Sequence, residues 1–86
     1  MTTTLAPRSS LLDGVPTSDI IRSARALEAR EEARPLSEVE ELTLIWLTAE
    51  ISRRGGRVDP DALAYAVDAG QTQVEALLNL APNFAA

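Results

Sequence analysis

Apolar residues recur at helical spacing through most of the chain, and the gaps between the recurrences are sharp. Ile20, Ala24 and Leu27 fall on one face, with Ile21 beside them. This first helix is expected to open with Thr17 or Ser18 as its cap and Asp19 in the first turn, where negative charge suits the helix dipole. Its second half, EAREEAR, has little to bury, and Pro35 stops it by disfavouring helical geometry at Arg34.

The second segment begins at a capping box, Ser37 with Glu40, and runs to Arg54 before the Gly55–Gly56 pair. Its apolar positions go most of the way round. Val39, Leu42, Ile45, Trp46 and Ala49 cover one side, and Leu44, Leu47 and Ile51 another. Only Glu41, Thr48 and Ser52 make a plainly polar strip. A helix apolar on two sides is expected at the centre of its domain or of an oligomer.

Two shorter helices follow. Asp59 caps the third, Pro60 takes its first position, Val58 can staple to Leu63, and Gly70 ends it after an inward stripe of Leu63, Ala66 and Val67. The fourth opens on Thr72 and Glu75, a second capping box, and carries Val74, Leu77, Leu78 and Ala81 to Pro82. No strand alternation, repeat or low-complexity tract appears. The pattern predicts an all-α fold: a small orthogonal bundle of four helices with an extended N-terminal arm. Residues 1–16 are expected as a flexible or extended arm, either a frayed tail or a segment whose end Leu11, Leu12 and Val15 pin to the core; the helical domain covers 17–82, and 83–86 form a short tail.

Composition narrows the possible activities. The chain has 86 residues, enough for one domain with a small core; a chain this short buries roughly 60–65% of its unfolded surface. No Cys and no His are present, which removes the commonest nucleophiles, bases and metal ligands, and there is no Lys to form a Schiff base. The Glu31–Glu32 and Glu40–Glu41 pairs point to different sides of their helices, as solubilising acids do. Asp59 and Asp61 suggest a fragment of a calcium loop, but the other ligands are missing and capping accounts for them. The chain is therefore expected to be no enzyme and to need no cofactor or metal. Arg as the sole basic residue, in an Ala-rich chain, points to a GC-rich bacterium or its phage. No apolar run reaches the ~20 residues of a membrane span, and MTTTLAPRSSLLDG lacks the charged start and apolar stretch of a secretion signal, so a cytoplasmic protein is expected.

The hairpin at 58–82 raises the question of DNA. Two short helices around a tight Gly-containing turn match the outline of a helix-turn-helix. Yet no positive residue lies between Val58 and Ala86, while Asp59, Asp61, Asp68 and Glu75 do, and the net charge is −5. Phosphate would be held poorly there. Under that reading Arg53, Arg54 and Arg57 of RRGGR carry the phosphate contacts; otherwise Arg53 and Arg54 complement the negative end of the second helix.

The favoured expectation is a non-catalytic helical module that binds a protein partner, itself included, as a regulator, adaptor or assembly component; a homo-oligomer fits. A DNA-binding regulator is the alternative, and a phage virion subunit a second. Leu44, Leu47 and Ile51 are the expected partner face, with Leu80 and Phe84 as a second patch or a cap on the bundle. Trp46 is expected as a core anchor, or else as an interface hot spot.

Overall fold

The computed structural model describes residues 12–84, and among them there are helices and no strands. Helix α1 spans Thr17–Ala33, α2 Glu38–Gly55, α3 Pro60–Asp68 and α4 Gln73–Leu80. The expected all-α bundle is therefore the fold.

Local chemistry accounts for most of the helix ends. At α2, the Glu40 N–H donates to Ser37 Oγ at 3.2 Å and the Ser37 N–H donates to Glu40 Oε1 at 2.9 Å, so the capping box is complete. Gly56, with φ 92°, lies beyond the last turn of α2 in a conformation that only glycine adopts readily. Asp59 caps α3 by accepting from the Asp61 N–H at 3.2 Å, and Pro60 follows. Gly70, with φ 108°, turns the chain after α3, while the Gln71 N–H returns to the Ala66 carbonyl.

Two ends depart from expectation. The residue before α1 is Pro16, with no side-chain cap; the Thr17 hydroxyl instead accepts from Arg54. At α4, Thr72 Oγ1 accepts from the Glu75 N–H, but the Glu75 carboxylate is drawn away to the Arg25 guanidinium. Glu28 of α1 takes up the neighbouring free donor, the Val74 N–H, at 3.2 Å. Helix α1 thus supplies a cap for α4.

The chain doubles back through residues 34–37, so α1 and α2 pack side by side; α4 lies against α2 and touches α1, and α3 packs on α4. Ile20 and Ala24, Leu47 and Ile51, and Val74 and Leu77 form the core, two from each of α1, α2 and α4. Each large side chain fully buried there contributes about 1.5–3 kcal/mol. Leu27, Leu44, Val58, Leu63 and Phe84 pack around them.

This arrangement corrects the expected orientation of α2. Leu47 and Ile51, nominated as a partner face, are buried, and Leu44 is half-buried against them. Glu40 explains the rotation. Its carboxylate takes hydrogen bonds from Arg30 and Arg34 at the end of α1, which turns that side of α2 inward. Leu44, Leu47 and Ile51 follow Glu40 at four, seven and eleven residues, along the same face.

Both ends of the described chain return to α2. Leu12 and Val15 pack on the core; Leu11 and the rest of the expected arm lie outside the described residues. The Asn83 N–H donates to the Gly55 carbonyl and Asn83 Nδ2 to the Arg54 carbonyl, both at 2.9 Å, satisfying two acceptors that the helix end leaves free. Phe84 lies over Gly55, where an added Cβ would come within 2.7 Å of the ring and 2.6 Å of the Ala81 Cβ. Phe84 therefore caps the bundle, whereas Leu80 is an exposed residue of α4.

Candidate protein-interaction surface

The side of α2 that faces away from α1 and α4 is apolar and open. Val39 is 72% exposed, Leu42 54%, Ile45 58% and Trp46 45%. Helical spacing sets these residues on one stripe, with Ala49 at its edge. Trp46 belongs to this stripe and is not the core anchor that its size suggested.

At Ile45 and Ala49 the stripe passes into an open groove of about 660 Å³. Leu44, Ile45 and Ala49 of α2 and Val67 of α3 give it a mostly apolar floor, with Thr48 and Ser52 of α2 between them. Glu28, Glu31 and Glu32 make one wall, supplied by the second half of α1 that had little to bury. Gln71, Thr72 and Gln73, from the turn between α3 and α4, close one end. Gln71 is exposed. Sequence reasoning missed this groove because its residues come from all four helices or their connections. Its nearest signal was the strip of Glu41, Thr48 and Ser52, of which Thr48 and Ser52 line the groove.

Cations are almost fully committed inside the molecule. Arg8 lies outside the described residues, and six of the other seven arginines hold carboxylates. Arg22 pairs with Asp19, Arg25 with Glu75, Arg30 and Arg34 with Glu40, and Arg53 and Arg54 with Glu50. Arg57 is the described arginine left over. Nine of the thirteen carboxylates take no cation among the described residues, Glu31, Glu32, Glu38 and Glu41 included.

Glu50 is the buried charge among the described residues, 1% exposed, and sequence reasoning did not single it out. The Glu50–Arg53 and Glu50–Arg54 spacings, i to i+3 and i+4, were its signal. Arg53 Nε donates to Glu50 Oε1 at 3.0 Å, and Arg54 Nε to Glu50 Oε2 at 2.6 Å. Arg54, only 15% exposed, also donates to the Leu12 carbonyl at 2.6 Å, the Val15 carbonyl at 2.7 Å and Thr17 Oγ1 at 3.0 Å. The Arg53 guanidinium is the largest influence holding the Glu50 carboxyl below its usual range, against the opposing effect of burial. Glu40 is held down to about 2, first by Arg34, then by the Ser37 N–H, then by Arg30.

Of the three arginines considered for phosphate, Arg54 is thus a structural tie between α2 and residues 12–17, and Arg53 is half-committed to Glu50. Only Arg57 is exposed without a carboxylate partner among the described residues. Helix α3 shows Tyr65 and Val67 to solvent, and α4 shows Gln73, Asn79 and Leu80. Among the described residues, no group of three or more acidic side chains could hold a metal ion, and no helix is long and apolar enough to cross a membrane. No family model, curated protein or solved structure matches the chain.

Proposed function

We propose that the chain is a non-catalytic helical module that binds a protein partner through the outer face of α2. The observation that carries this reading is the run of Val39, Leu42, Ile45 and Trp46, all 45% or more exposed on one helix and continuous with an apolar-floored groove. Large apolar side chains gathered on one side of a small protein mark contact surfaces. Trp is enriched among the residues that dominate such contacts. An intracellular regulator, adaptor or assembly factor of a bacterium or its phage is the setting we favour. The contact area is not the one that the apolar pattern nominated: Leu47 and Ile51 serve the core, and their opposite side is the one offered.

Charge supports a protein partner over DNA. A phosphate-binding surface needs several free cations, and α3 and α4 carry none. Arg53 and Arg54 cannot turn to phosphate without uncovering Glu50.

The test is co-purification from the cells that make the protein, with wild-type chain, Leu42→Asp and Arg57→Glu compared. The reading predicts one stoichiometric protein partner, lost with Leu42→Asp and kept with Arg57→Glu. Nucleic acid that co-purifies and is lost with Arg57→Glu would contradict it.

A further inference from the structure

The groove's two chemistries constrain what fills it. Leu44, Ile45, Ala49 and Val67 offer a mostly apolar floor, with Thr48 and Ser52 between them, and Glu28, Glu31 and Glu32 line the α1 side as a wall. Glu31 and Glu32 have no cation among the described residues, and Glu28 spends its carboxylate on a backbone N–H. By helical spacing, Glu41, which takes no cation among the described residues, continues the groove edge one turn before Leu44 and Ile45. A segment that buried only apolar side chains here would leave Glu31, Glu32 and Glu41 without partners.

From this we infer that the groove seats a basic amphipathic helix of another protein. Its apolar stripe lies on the floor, and its Lys or Arg side chains reach Glu31 and Glu32. The inference rests on the protein-binding reading above and adds the chemistry of the partner.

Length agrees with it. From Leu44 to Ser52 the groove follows α2 for about 12 Å, at about 1.5 Å per residue. That is the span of anchors at i, i+3 or i+4, and i+7 on a docked helix. Charge then selects among occupants. A second copy of this chain would bring a surface with the same unpaired carboxylates, setting like charge on like. Nucleic acid would bring phosphate to the same wall. A cationic helix is the occupant whose charge answers the wall while its other side answers the floor.

The test uses the whole chain and a labelled synthetic helix of about 18 residues, with Leu at i, i+3, i+4 and i+7 spacing and Lys elsewhere. A twin peptide carries Glu in place of each Lys. Fluorescence anisotropy of the peptide gives affinity, and the emission of Trp46, the only Trp, reports contact at the adjoining stripe. We expect the Lys peptide to bind and its Glu twin not to bind. Reversal of the wall, in Glu31→Lys/Glu32→Lys, should weaken binding about tenfold at low salt. Asp61→Lys, on the first turn of α3 and outside the groove, should change it less than about twofold. Ile45→Asp should abolish binding while far-UV circular dichroism stays unchanged.

Failure of the Lys peptide to bind overturns the inference. So does weakening by Asp61→Lys equal to that by Glu31→Lys/Glu32→Lys, since bulk charge would then account for the binding. Either failure leaves the wider reading standing if the natural partner is still lost with Leu42→Asp. Loss of both results removes the two together.

Discussion

Arg54→Ala is expected to be among the most damaging single changes away from the apolar core. The guanidinium makes four polar contacts: Glu50 at 2.6 Å, the Leu12 and Val15 carbonyls at 2.6 and 2.7 Å, and Thr17 Oγ1 at 3.0 Å. Truncation leaves Glu50, 1% exposed, with Arg53 alone, and frees two carbonyls beside the core. Breaking a buried ion pair by removing one partner costs about 3–5 kcal/mol. Arg54 keeps some contact with water, so the lower end applies, about 3 kcal/mol. A chain of 86 residues has a total stability of roughly 4–13 kcal/mol, so the loss is a large share of it. With a urea slope of about 1 kcal/mol per molar, the midpoint should fall by about 3 M. Urea unfolding followed by circular dichroism measures this. Arg53→Ala is the control: Arg53 is half-exposed and its side-chain hydrogen bonds among the described residues all go to Glu50, so its midpoint shift should be clearly smaller. Amide exchange at residues 12–15 should also accelerate in Arg54→Ala and not in Arg53→Ala. Equal shifts for the two variants, or a change below about 0.5 M for Arg54→Ala, would refute the assignment of Arg54 as the tie.

Three further outcomes follow from the packing and the charges. Ile51→Ala should cost about 2–5 kcal/mol, whereas Leu42→Ala should cost about 1 kcal/mol or less, because only Ile51 is buried; denaturant midpoints of the two check which side of α2 is inside. Gly55→Ala should lower stability by about 1–3 kcal/mol, since the new methyl meets Ala81 and the Phe84 ring, while Gly14→Ala, with nothing within 4 Å, should not. The Glu40 carboxyl titrates at about 2 when folded against 4.5 ordinarily, so its contribution is complete above about 4.5 and disappears as the pH falls toward 2. Glu50, also held low, acts in the same direction. Melting temperatures measured from pH 5 to pH 2 should therefore fall, and fall less steeply in Glu40→Gln.

The parts of the fold written in local chemistry were legible. Ser37 with Glu40, Asp59 with Pro60, and the glycines at 56 and 70 act within a few residues of themselves, so spacing alone exposes them. What depends on distant partners was not. The Thr72–Glu75 box fails to close because Arg25, fifty residues away, competes for Glu75. The rotation of α2 could not be read from its own residues, since both of its sides are apolar. The choice lies in Glu40 facing Arg30 and Arg34, a pairing across the α1–α2 turn. That reversal moved the candidate contact face from Leu47 and Ile51 to Val39, Leu42, Ile45 and Trp46, and left half-buried Leu44 in the groove. The lack of cations on α3 and α4 was plain in the sequence. The internal commitment of Arg53 and Arg54 was half-visible, as complements to a helix end, without the buried Glu50 that requires them.

The central claim, that α2's outer side and its groove are where this molecule meets its partner, is tested most directly by mapping amide and indole chemical shifts of isotope-labelled protein. One titration uses the Lys–Leu helix and a parallel one uses duplex DNA. The account predicts that the peptide moves Glu31, Glu32, Ile45, Ala49, Val67 and the Trp46 indole, and that DNA moves nothing. Shifts induced by DNA and clustered on Arg53, Arg57 and the α3–α4 hairpin, with the α2 stripe silent toward the peptide, would contradict it.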